Sequence, residues 1–271
     1  MGLIIADSTH LMDCLLKKKK MRLVFLCIYN REDAYDRMRE AQLVYLRHLR
    51  EDRPDLMEKV SYYFIMSAPI DEEYELDEEN HMLIIRGCET RIPGILDKTM
   101  TAIRIMLSIR RFDYLVRTNI SCCIDIPHAY RILSGIVPEH PCVYGGTFLT
   151  LSWRDALNGI VDGRHDGTRY CTGVFIAMSH ALCSIMSDKE MDRTVIDDVA
   201  IGVCVRAIGE PVHDVCLSSV MIVGSDRFDP GIMAFCNNTN KQDRSIDVDR
   251  FGRIMEGIMT SDRGDHRRRV V

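Results

Sequence analysis

The chain has 271 residues, of which 46% are hydrophobic and 28% charged, with a formal net charge of −5. That is material for one large core or two small ones, and the acidic balance argues against a nucleic-acid partner. The eleven cysteines are scattered, with no Cys-x-x-Cys pair, which argues against a zinc site or a disulfide framework and for reduced thiols in a reducing compartment.

Residues 1–20 differ in character from the rest of the chain and read as an extension. They contain Lys17–Lys20, which with Arg267–Arg269 form the dense basic runs, both expected to be solvated tails. Met21–Tyr29 reads as a buried strand, stopped by Asn30-Arg31-Glu32-Asp33; Met21 could be the functional start. This run falls short of the roughly 18 apolar residues that cross a bilayer. It lacks a convincing cleavage site, and Ala6 stands where a myristoylation motif wants Ser or Thr. A soluble, cytoplasmic protein with no membrane span is expected.

Asp33–Leu49 has helical spacing in Met38, Ala41, Leu46 and Leu49. Val60–Met66 reads as a strand, the acidic stretch Asp71–Asn80 as a solvated loop or short helix, and His81–Arg86 as another strand. After the turn Ile92-Pro93-Gly94, Leu96–Ile109 is a helix. Phe112–Val116 is a strand that ends in Arg117-Thr118-Asn119-Ile120-Ser121. Asp125 caps a helix that has proline in its first turn and runs to about Leu133. Cys142–Leu151 and Arg169–Met178 are strand-like, and Ser179 caps a helix through Ile185. Asp197 or Asp198 opens a helix to about Val205; Val215–Val223 is a late strand and Asp247–Met259 a late helix. Strands alternate with helices in the first half, and the strands are apolar on both faces. This predicts a single α/β domain around a largely parallel sheet, with ligands bound beyond the carboxyl ends of the strands.

Four fragments could carry chemistry there, and each also has an ordinary structural meaning. In an extended chain Arg117, Asn119 and Ser121 share one face and could reach a nucleotide or sugar; a polar strand end satisfying its own turn looks the same. The glycine of Thr172-Gly173-Val174-Phe175-Ile176-Ala177-Met178-Ser179 could allow an acceptor to approach, or simply punctuate a strand. Asp197 and Asp198 could cap a helix, or one could cap while the other acts as a general base. Lys98 in the first turn of a helix could reach a phosphate or lie on the surface. No Walker loop, dinucleotide fingerprint, nucleophile elbow or His-Glu-x-x-His helix occurs.

The order and spacing of Glu78, Asp97-Lys98-Thr99, Tyr114-Leu115-Val116-Arg117-Thr118-Asn119, Gly173–Ser179 and Asp197-Asp198-Val199-Ala200-Ile201-Gly202 resemble the β-1,3-galactosyltransferase and fringe-like glycosyltransferases. That family shows a Lys-Thr helix, a Tyr-Leu-Leu-Lys-x-Asp-Asp-Asp strand, a Gly-x-x-Tyr-Val-x-Ser strand and a Glu-Asp-Val-x-x-Gly helix start. The helix around Arg37-Met38-Arg39 is similar to its early basic helix. The likeness spans about 21–205 and is distant; 206–271 has no counterpart.

The resemblance implies a GT-A-like, Rossmann-like fold with helices on both faces. It also implies a donor part at about 21–122 and an acceptor and catalytic part at about 123–271. The reaction would be inverting transfer from a nucleotide-diphosphate sugar, a UDP-sugar foremost, to a glycan hydroxyl. Asp198 would be the general base and Asp197 its orienting or capping neighbour. Lys98, Arg117, Thr118, Asn119 and Ser121 would hold the donor, and Gly173 and Tyr144 would meet the acceptor. Asn119 and Ser121 stand where the family has the acids of its metal-binding Asp-x-Asp. Neutral oxygens are poorer ligands for a hard divalent cation. Three outcomes follow: catalysis without metal, weak Mn²⁺ or Mg²⁺ held largely by the donor diphosphate, or a silent nucleotide-sugar-binding scaffold. A working enzyme with weak or no metal dependence is expected, in a microbial or large-DNA-virus setting.

Overall fold

A computed structural model describes residues 21–136, 141–217, 221–237 and 244–268; the expectations for residues 1–20 fall outside it. Its centre is an eight-stranded sheet. The strands are β1 (Leu23–Ile28), β2 (Val60–Ala68), β3 (Tyr74–Asp77), β4 (Met82–Arg86), β5 (Tyr114–Asn119), β7 (Val143–Thr150), β8 (Arg169–Ser179) and β9 (His213–Cys216). Their order is β3-β4-β2-β1-β5-β8-β7-β9. A separate three-stranded sheet joins β6 (Cys122–Ile124), β10 (Met221–Val223) and β11 (Ala234–Cys236).

β1 is buried along its whole length because parallel neighbours flank it, β2 on one side and β5 on the other, and helices cover both its faces. Its side chains alternate between two cores. Leu23, Phe25 and Cys27 join one with Met38, Leu46 and Leu49 of α1 (Asp33–Asp52) and Phe251 and Ile254 of α7 (Ser245–Arg268). Val24, Leu26 and Ile28 join the other with Met100 and Ile103 of α3 (Gly94–Ile109). That second core also takes Leu182 of α5 (His180–Ser187) and Ile201 of α6 (Asp197–Ala207). Two short helices, α2 (Pro54–Met57) and α4 (Ile126–Ser134), complete the first layer. The cap expected at Asp125 is present, its carboxylate accepting from His128 N at 2.9 Å, and Ser179 caps α5 through Leu182 N.

The α/β class is therefore as the sequence predicts, with four differences. The acidic stretch is neither loop nor helix in its middle: Tyr74 and Leu76 alternate with Glu75 and Asp77, and that two-residue period makes β3, paired antiparallel to β4. β8 runs antiparallel to both β5 and β7, so the sheet is parallel only through β4-β2-β1-β5 and mixed on either side of that run. The late strand at 215–223 is two strands, β9 and β10, in different sheets. Finally, the chain does not stay extended through Ser121. β5 ends at Asn119, turns at 120–121 and continues as β6 in the small sheet.

Candidate active site

The strand order reverses about β1: the chain goes first to β2 and β4 on one side and later to β5 on the other. At such a point the crossovers part and leave a crevice beyond the strand carboxyl ends. A cleft of about 540 Å³ lies there, with Asn30 just after β1 and Asn119 at the end of β5 on its wall. Arg117, Ser121, Gly173, Asp197 and Asp198 line the same cleft. Four separated stretches of sequence thus converge on one place.

The cleft floor is a charged network built around one backbone residue. Arg117 points to the same core face as Leu115, towards α6, because side chains alternate along β5. Its guanidinium meets the Asp197 carboxylate at 2.7 Å, and both side chains are buried, 3% and 2% exposed. It also donates to the Gly173 carbonyl. Gly173 N in turn donates to Asp198 Oδ2 at 3.0 Å, and Val199 N donates to Asp198 Oδ1 at 2.9 Å. A Cβ on Gly173 would come within 2.6 Å of Arg117 Nη1, so only glycine lets the guanidinium pass β8 to reach Asp197.

The capping contact expected of Asp197 is made by Asp198. Asp198 caps the first turn of α6 through Val199 N and also faces the cleft, while Asp197 turns inward to hold Arg117. Burial pushes the Asp198 carboxyl up to about 6, with the neighbouring Asp197 charge adding to the rise and Arg117 and the two N–H donors opposing it. A carboxylate with that value is ionised at neutral pH yet basic enough to take a proton.

Three expected ligands are not brought to the cleft. Lys98 Nζ is sunk against Tyr29 O at 2.8 Å and Glu89 at 2.7 and 2.8 Å, with 1% of its side chain exposed. Thr118, one residue out of phase with Arg117, donates to Val174 O at 2.7 Å on the other face of the sheet. Tyr144 lies in the core between β7 and α6, its hydroxyl accepting from Cys171 N at 2.9 Å.

The cleft also has members that motif reading did not single out. Arg91 lies on its wall and donates to Asn158 Oδ1 at 2.9 and 2.5 Å. Arg244 lies over the Tyr35 ring at 5.5 Å, donates to Asn237 O at 3.0 Å and stands 3.3 Å from Asp247. Trp153, Leu149 and Tyr170 form an apolar wall. The position of Trp153, the chain's one tryptophan, just before the charged pair Arg154-Asp155 was the available signal.

The donor set does not fit a hard divalent cation. Asn119 and Ser121 offer an amide and a hydroxyl, the nearby Asp197 carboxylate is committed to Arg117, both Asp198 oxygens accept backbone N–H groups, and among the described residues no group of three His, Cys, Asp or Glu side chains is placed to hold a metal ion.

No family model matches the chain, and no curated protein is similar to it in sequence. Among solved structures, HddC from Yersinia pseudotuberculosis has a TM-score of 0.36 and 11% identity, covering 72% of this chain and 90% of that one. An active-site mutant of LgtC has a TM-score of 0.37 and 12% identity, covering 86% and 83%. Likenesses this loose transfer no residue role.

Proposed function

We propose that the chain is a GT-A-type glycosyltransferase. It moves a sugar, with inversion, from a nucleotide-diphosphate donor, a UDP-sugar foremost, to a hydroxyl of a glycan acceptor, without requiring a metal. The observation that carries this reading is Asp198: a carboxylate raised to about 6, fixed by two backbone N–H groups, at the wall of a cleft on the sheet's switch point.

In the reaction the acceptor hydroxyl gives its proton to Asp198 as its oxygen bonds to the anomeric carbon. The bond from that carbon to the diphosphate breaks, and its electron pair leaves with the diphosphate. The buried Arg117–Asp197 pair keeps Asp198 in place. Because Arg117 is matched by Asp197 and Arg244 stands beside Asp247, the cation assigned to meet the departing charge is Arg91 on the cleft wall. Asn119 and Ser121 supply neutral hydrogen bonds to the donor.

A panel of UDP-, GDP- and dTDP-sugars, each with and without Mn²⁺, tests this. Turnover of one donor in chelator is expected. Asp198→Asn is expected to lose about 10²–10⁴-fold in kcat with the fold retained. Nucleotide binding without turnover would instead identify a silent sugar-nucleotide-binding protein. No thermal shift with any member would end the reading.

A further inference from the structure

The wall formed by Trp153 is not explained by the chemistry at Asp198. Trp153 is 37% exposed and Leu149 45% exposed, side by side with buried Tyr170 on the cleft wall. Leu149 stands directly opposite Tyr170 in the β7–β8 pairing. Large apolar side chains left open to water inside a polar cleft are a mark of a ligand surface.

The wall is also rigid. The loop between β7 and β8 is closed at its base by Leu151 N to Thr168 O at 2.9 Å and Gly167 N to Leu151 O at 2.8 Å. Arg154 grips Asp166 through two bonds of 2.6 and 2.7 Å. Asp155 holds Leu157 N at 3.0 Å and Asn158 Nδ2 at 2.7 Å. Ile196 N donates to Asn158 O at 3.0 Å, which ties the loop to the residue just before Asp197-Asp198. The indole is therefore carried on the side of the general base. The donor crevice, at Asn30 and Asn119, lies at the ends of β1 and β5.

A pyranose ring has a C–H face that packs on an aromatic plane and a rim of hydroxyls that needs polar partners. Trp153 supplies the plane; Thr172 and Asp198, both on the cleft wall, supply the partners. Resting on the glycosyltransferase reading, we propose that Trp153 is the stacking platform for the acceptor saccharide and sets the ring whose hydroxyl faces Asp198.

Trp153 is the chain's single tryptophan, so its emission reports this subsite alone. The parent protein is titrated with lactose, cellobiose, maltotriose and mannobiose, with no nucleotide present, and separately with UDP. A saturable change in emission with at least one saccharide is expected. A response to UDP alone would make the wall a nucleobase platform and overturn the assignment; silence with every saccharide would overturn it too.

In transfer assays Trp153→Ala should raise the acceptor KM tenfold or more with a much smaller fall in kcat, and Trp153→Phe should restore most of the loss. Leu157→Ala, 72% exposed on the same loop and away from the cleft wall, is the control at parental KM. If the parent turns over no donor, the enzymatic reading fails while the saccharide titration still stands or falls by itself. If it does turn over donor and Trp153→Ala keeps the parental acceptor KM, the platform fails alone.

Discussion

At the scale of single residues, the cleft depends on an ion pair between side chains 80 positions apart, Arg117 and Asp197. Breaking a buried pair leaves one charge without its partner. Arg117→Leu is therefore expected to cost about 3–5 kcal/mol in urea unfolding, far more than loss of a surface bridge. The pair also tunes Asp198. A base must be ionised, so kcat/KM should rise with pH through about 6 and level off above it. Asp197→Asn removes the neighbouring negative charge that raises Asp198 and releases Arg117, which lowers it. The acid limb of the profile should move to lower pH; an unmoved limb would show that Asp198 is not the titrating group. Both residues were legible in the sequence as members of a site, but their partnership was not. Long-range pairing leaves no local pattern, and an arginine at a strand end reads equally well as a phosphate ligand. Lys98 misled for the same reason: the Glu89 carboxylate that holds it lies nine residues back, in a loop with no periodicity.

At the scale of elements, the packing of α6 on β8 positions the base. A Cβ on Gly202 would run into Tyr170 Cβ, so the helix can approach the strand only where it has no side chain. Gly202→Ala forces the two apart. A loss of about 1–3 kcal/mol in thermal or urea unfolding is expected, with a fall in turnover because Asp198 moves with the helix. The glycine of the Asp197-Asp198-Val199-Ala200-Ile201-Gly202 series thus has a packing reason that the motif alone did not disclose. Helices and most strands were legible, since apolar spacing and caps are local properties. Strand direction was not: each of β5, β7 and β8 has a buried apolar run, whether its neighbours are parallel or antiparallel. The charge of 71–80 hid β3, whose two inward side chains, Tyr74 and Leu76, are all the alternation that four residues permit.

At the scale of the whole molecule, the cleft joins stretches from Ile28 to Arg244, and its arginines come from the loop before α3, from β5 and from the approach to α7. Two of them face carboxylates, Arg117 at Asp197 and Arg244 at Asp247, whereas Arg91 bonds the neutral Asn158 amide and can meet the diphosphate charge without a bound ion. Turnover is therefore expected to survive chelation, and the Arg91→Ala variant to raise the donor KM while leaving unfolding unchanged; strict dependence on Mn²⁺ would overturn the metal-free reading. The large sheet also has a boundary to defend. β3 is one of its two edge strands, and Glu75 and Asp77 stand exposed on it, with Glu72, Glu73, Glu78 and Glu79 around them. An unpaired strand edge is a template on which another copy can add its own, and like charges on both copies forbid that match. The acidic stretch then governs solubility rather than catalysis: Glu73→Thr with Glu75→Thr should leave turnover intact while sedimentation becomes dependent on concentration. The same few carboxylates that conceal a strand from a reader of the sequence would conceal it from other molecules in a crowded cell.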